Sequence, residues 1–132
     1  MSETNKDTQV YRKIIKSQTC THTEVCEVIQ ELFKNRIVCK QNGKHYTWYC
    51  INNIDNLVQT NEHQIRKMIF PKLISMYNQT AQHLYTHAFS EGQLIKYHYI
   101  DIANRLVKIS RFLNMNPFRN AVMKELVVIM CN

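Results

Sequence analysis

Residues 21–33 read THTEVCEVIQELF, and the fold class follows from how this stretch starts and how its period is lost afterwards. Thr21 and Glu24 stand three apart, the spacing of a capping box. Val25, Val28, Ile29, Leu32 and Phe33 then recur at i, i+3, i+4, i+7 and i+8, one face of a helix. Glu24, Glu27 and Glu31 lie off that face. A helix is predicted over 22–34. Directly after it the period changes. Arg36-Ile-Val-Cys-Lys40 is rich in β-branched residues, and Gln41-Asn42-Gly43-Lys44 holds an Asn-Gly pair that favours a tight hairpin. His45-Tyr-Thr-Trp-Tyr-Cys-Ile51 supplies the return strand. Alternation places Tyr46, Trp48 and Cys50 on one face and His45, Thr47, Tyr49 and Ile51 on the other. A lone two-stranded hairpin is marginal in water, so one face is expected to pack on helices, with Trp48 in the core.

Toward the N-terminus, residues 1–8 read as a disordered polar lead, and Val10, Tyr11, Ile14 and Ile15 predict a short helix over 9–17. Toward the C-terminus, residues 52–59 read as a connection. Thr60 or Asn61 can cap a helix over 61–88 whose apolar positions are Ile65, Met68, Ile69, Leu73, Met76, Tyr77 and Leu84. Pro71 predicts a kink or break just before it. Ser90-Glu91-Gly92 is a turn. Tyr99, Ile102, Leu106, Ile109 and Leu113 form the stripe of a helix over 93–113, and Asn116-Pro117 restarts a last helix carrying Phe118, Val122, Leu126 and Ile129. The expected fold is mainly α. It is a bundle of four to five helices with one small β-hairpin over about 36–51, in a single domain over 9–132.

Composition excludes several classes. The 132 residues are 45% hydrophobic with only Gly 2 and Pro 2, which argues against a turn-rich β-sandwich or a linker. No run approaches the ~18 apolar residues of a membrane span, and MSETNKDTQV lacks the apolar core of a secretion signal. With Gly43 and Gly92 as its only glycines, the chain has no Gly-rich phosphate loop and no nucleophile elbow. No catalytic role is expected. The five cysteines are odd in number and irregularly spaced, which points to reduced thiols in a reducing compartment, with Cys26, Cys39, Cys50 and Cys131 as small buried apolar residues.

Two metal-like spacings occur. Cys20, His22 and Cys26 form C-x-H-x3-C, with Cys39 or Cys50 as candidates for a fourth zinc ligand, but the paired knuckles of structural zinc sites are missing. His83 and His87 stand i, i+4 on one helix face, with Leu84 where a metalloprotease requires Glu. No metal or cofactor is expected. Met68, Met76, Met115, Met123 and Met130 read as core fillers.

Charge is the stronger signal. Lys+Arg 17 against Asp+Glu 10 gives +7, with a pI near 9.3, and a polyanion is the natural partner for such a surplus. From Lys96 onward six basic residues face only Asp101 and Glu125. Tyr46, Trp48 and Tyr49 on the hairpin, beside Arg36, Lys40 and Lys44, have the makings of a stacking platform rimmed by cations.

The order of motifs carries a resemblance. HTEVCEVIQELF (22–33), YTWYCINN (46–53) and FLNMNPFRNAVMKELVVIM (112–130) resemble the segment preceding the helicase core in the primase–helicases of poxviruses and other large DNA viruses of eukaryotes. In that family a Val-Ala…Leu-Phe helix, matched by Val25 to Phe33, precedes a Trp-containing hairpin, matched by Trp48-Tyr49. A later Phe-Lys-x-x-Ile-Met-Lys-Glu-like run is matched by Phe118 to Glu125. The resemblance spans roughly residues 22–131. It departs where the family has a second aromatic and this chain has Asn52-Asn53-Ile54-Asp55. The family's phosphate-binding loop and the acidic pair of its primase core are absent from these residues.

The resemblance implies an accessory, linker or collar module that helps to assemble a ring-shaped oligomer around DNA, with a helicase core elsewhere in the same polypeptide. Its place would be the viral replication site in the host cytoplasm or the nucleus. The residues expected to contact DNA are Arg105, Lys108, Arg111, Arg119 and Lys124, with Arg36, Lys40, Lys44 and Tyr49 as a second patch, each cation neutralising phosphate without reading sequence. The competing expectation is a viral helical bundle that captures a host protein, its basic surface being incidental.

Overall fold

A computed structural model describes residues 2–88 and 93–131, with side chains over 8–88 and 96–131. Helix α1 spans Ser2–Lys16, so the stretch expected as a disordered lead is helical from Ser2 onward. It contains no Gly or Pro, and buried Val10 and Ile14 anchor the following turns. Extending a formed helix is far easier than nucleating one. A 3-10 turn over Ser17–Thr19 ends α1, and Cys20 reverses the chain with φ 63° and its N–H on the Ser17 carbonyl. Thr21 then caps α2, His22–Leu32, by accepting a hydrogen bond from the Glu24 N–H at 3.2 Å. Glu24 Oε1 accepts in return from the Thr21 hydroxyl at 2.9 Å and from Thr19.

The hairpin forms as predicted and gains a strand. β1 (Ile37–Asn42) pairs antiparallel with β2 (His45–Ile51). The loop is Gly43-Lys44, because Asn42 pairs with His45. Gly43 takes φ 61° while Lys44 is not among the positive-φ residues, the pattern of a type II′ turn. The stretch expected as a plain connection then turns back as β3, Leu57–Thr60, antiparallel to β2. Asn52 makes this turn, its Oδ1 accepting from the N–H groups of Ile54 (3.1 Å) and Asn56 (3.0 Å), with Asp55 at φ 60°. Strand order is β1-β2-β3. β3 escapes notice in the sequence because Leu57 and Val58 are both exposed, leaving no alternation to read.

α3 spans Glu62–Ala88 unbroken across Pro71. Of the kink or break expected there, the break is absent, and Lys67 and Pro71 are both exposed, so the carbonyl that loses its partner faces solvent. α4 (Gln93–Phe112) packs along α3, and α5 (Asn116–Met130) packs on α2 and β1. The turn expected at Ser90-Glu91-Gly92 lies outside the described residues. Ile14, Ile29, Ile65, Phe70, Leu73, Leu106, Ile109 and Met123 fill the centre, and Trp48 joins them from the sheet.

One polar link and one covalent link tie the layers together. Ser17 Oγ donates to the Ile14 carbonyl at 2.6 Å. Its single proton is thereby used, so at the 2.6 Å contact with Tyr77 the phenol is the donor. The second link corrects the thiol expectation: Cys39 and Cys131 form a disulfide, their Cα atoms 5.5 Å apart. Cys39 faces the core opposite Trp48, where the last turn of α5 reaches β1. Among the described residues Cys20, Cys26 and Cys50 remain free.

Candidate nucleic-acid interface

The cations singled out in the sequence fall into two groups. On α4, Arg105 bridges Asp101 at 3.1 Å, one helical turn away, and reaches Gln18 Oε1 at 3.5 Å. Lys108 lies 5.8 Å from the Phe112 ring centroid, and Arg111 is exposed. Arg105 and Lys108 line one cleft of about 260 Å³ with Gln18, Thr19, Cys20 and Phe112. Burial pushes the Cys20 thiol up against the opposing pull of Lys108. Phe112 stacks on Phe118 at 5.6 Å, and Phe118 meets the edge of His22 at 5.2 Å. These aromatics carry the surface from the end of α4 onto the start of α5.

On α5, Lys124 is exposed, whereas Arg119 is half-buried and held in place. Its Nε donates to the Leu113 carbonyl at 2.5 Å, and its guanidinium lies 4.9 Å from the Phe70 ring centroid. Arg119 therefore has a packing role that its sequence context gave no sign of.

The hairpin group is less of a platform than the sequence promises. Trp48 is buried, which removes it from any stacking surface. Tyr46 and Tyr49 lie on opposite faces of the sheet, and Lys40 covers Tyr49 at 5.4 Å. Arg36 lies 5.8 Å from the Phe33 ring, and Lys44 sits exposed in the turn. Of the cations expected to contact DNA, Arg105 forms an ion pair, with Asp101.

One basic cluster was missed. His63, Arg66, Lys67 and Pro71 on α3 and Asn116 and Arg119 on α5 line a cleft of about 330 Å³. The spacing of His63, Arg66 and Lys67 at i, i+3 and i+4 marks one helix face. That was legible, but the approach of Arg119 from residues far along the chain was not.

The candidate zinc ligands do not converge. Cys26 is fully buried and donates to the Val122 carbonyl at 3.3 Å. Burial, reinforced by Glu125, pushes its thiol up to about 12. His22 is exposed against Phe118. His83 and His87 stack on each other at 5.6 Å, between Tyr11 and Tyr99. Among the described residues no three His, Cys, Asp or Glu side chains are placed to hold a metal ion. No helix there is long and apolar enough to cross a membrane.

No protein-family model matches the chain, and no curated protein matches it in sequence.

Proposed function

We propose that the chain is a non-catalytic accessory module of a viral DNA-replication primase–helicase, contacting DNA through its phosphates, contributing oligomer contacts, or both. The carrying observation is that Lys108, Arg111 and Lys124 stand exposed with no acidic partner among the described residues. Such cations bind a polyanion without first breaking an ion pair, and they neutralise phosphate without reading bases. The resemblance of residues 22–131 to the segment before the helicase core supports the same reading. A helicase core in the same polypeptide, a second copy of the chain and the viral replication site in host cytoplasm or nucleus belong to this proposal.

Titrating single-stranded and duplex DNA at several salt concentrations tests it. Affinity is expected to fall linearly on logarithmic axes. The double variant Lys108→Gln/Arg111→Gln should weaken binding to all sequences alike and reduce the duplex slope by roughly 2. No affinity at low salt, or affinity without a salt slope, rejects DNA contact.

A second reading has its own observation. A cleft of about 410 Å³ is floored by Ile37, Ile69, Leu126 and Met130 and rimmed by Lys13, Glu27, Glu31 and Lys34. It has the apolar floor and charged rim of a groove for a host peptide. A chain that ignores DNA yet retains a defined host protein through this cleft would favour it.

A further inference from the structure

The cleft between the first half of α3 and the first turn of α5 has the chemistry of an anion site. Lys67 and Arg119 bring two full positive charges to it, while the charge of Arg66 is offset by Glu62 at 3.0 Å. No acidic side chain lines it, and His63 and Asn116 add hydrogen-bonding groups. Its two arginines are already positioned. Arg66 donates from Nε to Glu62 at 3.1 Å and from Nη1 to Asn120 at 2.8 Å. Arg119 is fixed by the Leu113 carbonyl and the Phe70 ring through its Nε and its flat face. That leaves both Nη groups of Arg119 free to form a planar fork whose ordering cost was met on folding. Lys67 has no partner among the described residues and can swing to meet an anion.

The charge count selects among phosphates. An internal phosphodiester carries one negative charge, whereas a phosphomonoester carries about −2 near neutral pH. Two uncompensated cations, one of them a fixed fork, match the monoester, because charge-assisted bidentate contacts are the strong ones. We propose that this cleft binds a phosphomonoester dianion, presented by the 5′-phosphate end of a nucleic acid strand or by a small phosphate. The polynucleotide source rests on the DNA reading above; recognition of the dianion does not.

Anisotropy measurements with one single-stranded oligonucleotide, prepared with a 5′-phosphate and with a 5′-hydroxyl, test the inference alongside calorimetric titration with inorganic phosphate. The phosphorylated strand is expected to bind about tenfold tighter, as a charged hydrogen bond implies, and inorganic phosphate should erase the difference. Lys67→Gln and His63→Gln replace exposed side chains, so their thermal melts should match the parent. Lys67→Gln should remove the preference, whereas His63→Gln, which keeps a hydrogen-bonding side chain, should retain it, and neither should change the affinity for the 5′-hydroxyl strand. Equal binding of the two strands, with no heat from inorganic phosphate, overturns the cleft and leaves the DNA reading standing. Heat from inorganic phosphate that Lys67→Gln abolishes, with no binding of either strand, upholds the cleft and rejects the DNA reading.

Discussion

Breaking the Cys39–Cys131 link should cost this chain a large part of its stability. The two cysteines are 92 residues apart, so the bond closes a loop over most of the described chain. In the chain-entropy treatment a loop of that length restricts the unfolded ensemble by about 4.6 kcal/mol at room temperature. Whole domains are typically stable by only about 5–15 kcal/mol. For a chain of this size the loss should lower Tm by roughly 15 °C. Cys131→Ser tests this with less disturbance than a change at Cys39, because Cys131 is half-buried and Cys39 is in the core. Urea melts of the parent and of Cys131→Ser, each with and without a thiol reductant, give the comparison. The parent in reductant should match the variant, and the variant should ignore reductant. A thiol count in denaturant without reductant should find three free cysteines of the five. Five titratable thiols, or melts that coincide with and without reductant, would refute the reasoning.

The buried hydroxyl pair gives an ordered prediction. Tyr77→Phe leaves Ser17 bonded to the Ile14 carbonyl and should cost about 1 kcal/mol, whereas Ser17→Ala strands a buried phenol and should cost about 1–3 kcal/mol. Denaturant melts should also show the double variant costing less than the sum of the two. Cys26, its thiol pushed up to about 12, should be the last of the three free cysteines alkylated by iodoacetamide at pH 8, with mass mapping as the readout. Hydrogen bonds from Thr19 and Thr21 hold the Glu24 carboxyl below its ordinary 4.5. Its contribution is therefore complete above about pH 4.5 and is lost as pH falls through the lower folded value. Glu24→Gln should flatten that acid limb in melts taken across the range.

Local, periodic features were legible. The capping residues Thr21 and Glu24, the stripe from Val25 to Phe33, and the glycine of the turn at Gly43 gave a capped helix and a hairpin, because each depends on neighbours within a few residues. β3 was lost since its two apolar residues both face solvent and its turn depends on one asparagine side chain. The unbroken α3 reflects where Pro71 points, which depends on the tertiary fold. The disulfide was hidden by the odd cysteine count and by the distance along the chain between its partners. The site divided in the same way. Cations could be counted, and the i, i+4 spacing of Asp101 and Arg105 was there to read, but the sequence did not show that Lys108 and Arg111 lack acidic partners or that Arg119 is fixed beside Lys67 and His63. Those are facts about partners brought together by folding.

On the proposed reading, self-association and DNA binding should respond to salt in opposite directions, because the surfaces assigned to them differ in charge. Two copies of a +7 chain repel, so they approach best where Lys and Arg are missing. Residues 45–65 contain neither, and carry Asp55 and Glu62. β3 lies in that stretch as an edge strand, with Ile54 73%, Leu57 44% and Val58 47% exposed. It lacks the lysine or proline by which exposed edges are usually protected, so its unpaired backbone groups can add a strand from a second copy. Screening by salt shortens the range of the repulsion between copies and leaves backbone pairing and apolar contact intact, whereas it weakens phosphate binding at the α4–α5 cations. Sedimentation from low to high salt should therefore show association strengthening over the range in which DNA affinity falls. Val58→Lys, placed on the exposed edge, should abolish association and leave the DNA titration unchanged. A chain that stays monomeric at every salt concentration removes the edge from the proposal, and association that weakens with salt would mean that ion pairs between copies, not β3, hold the oligomer together.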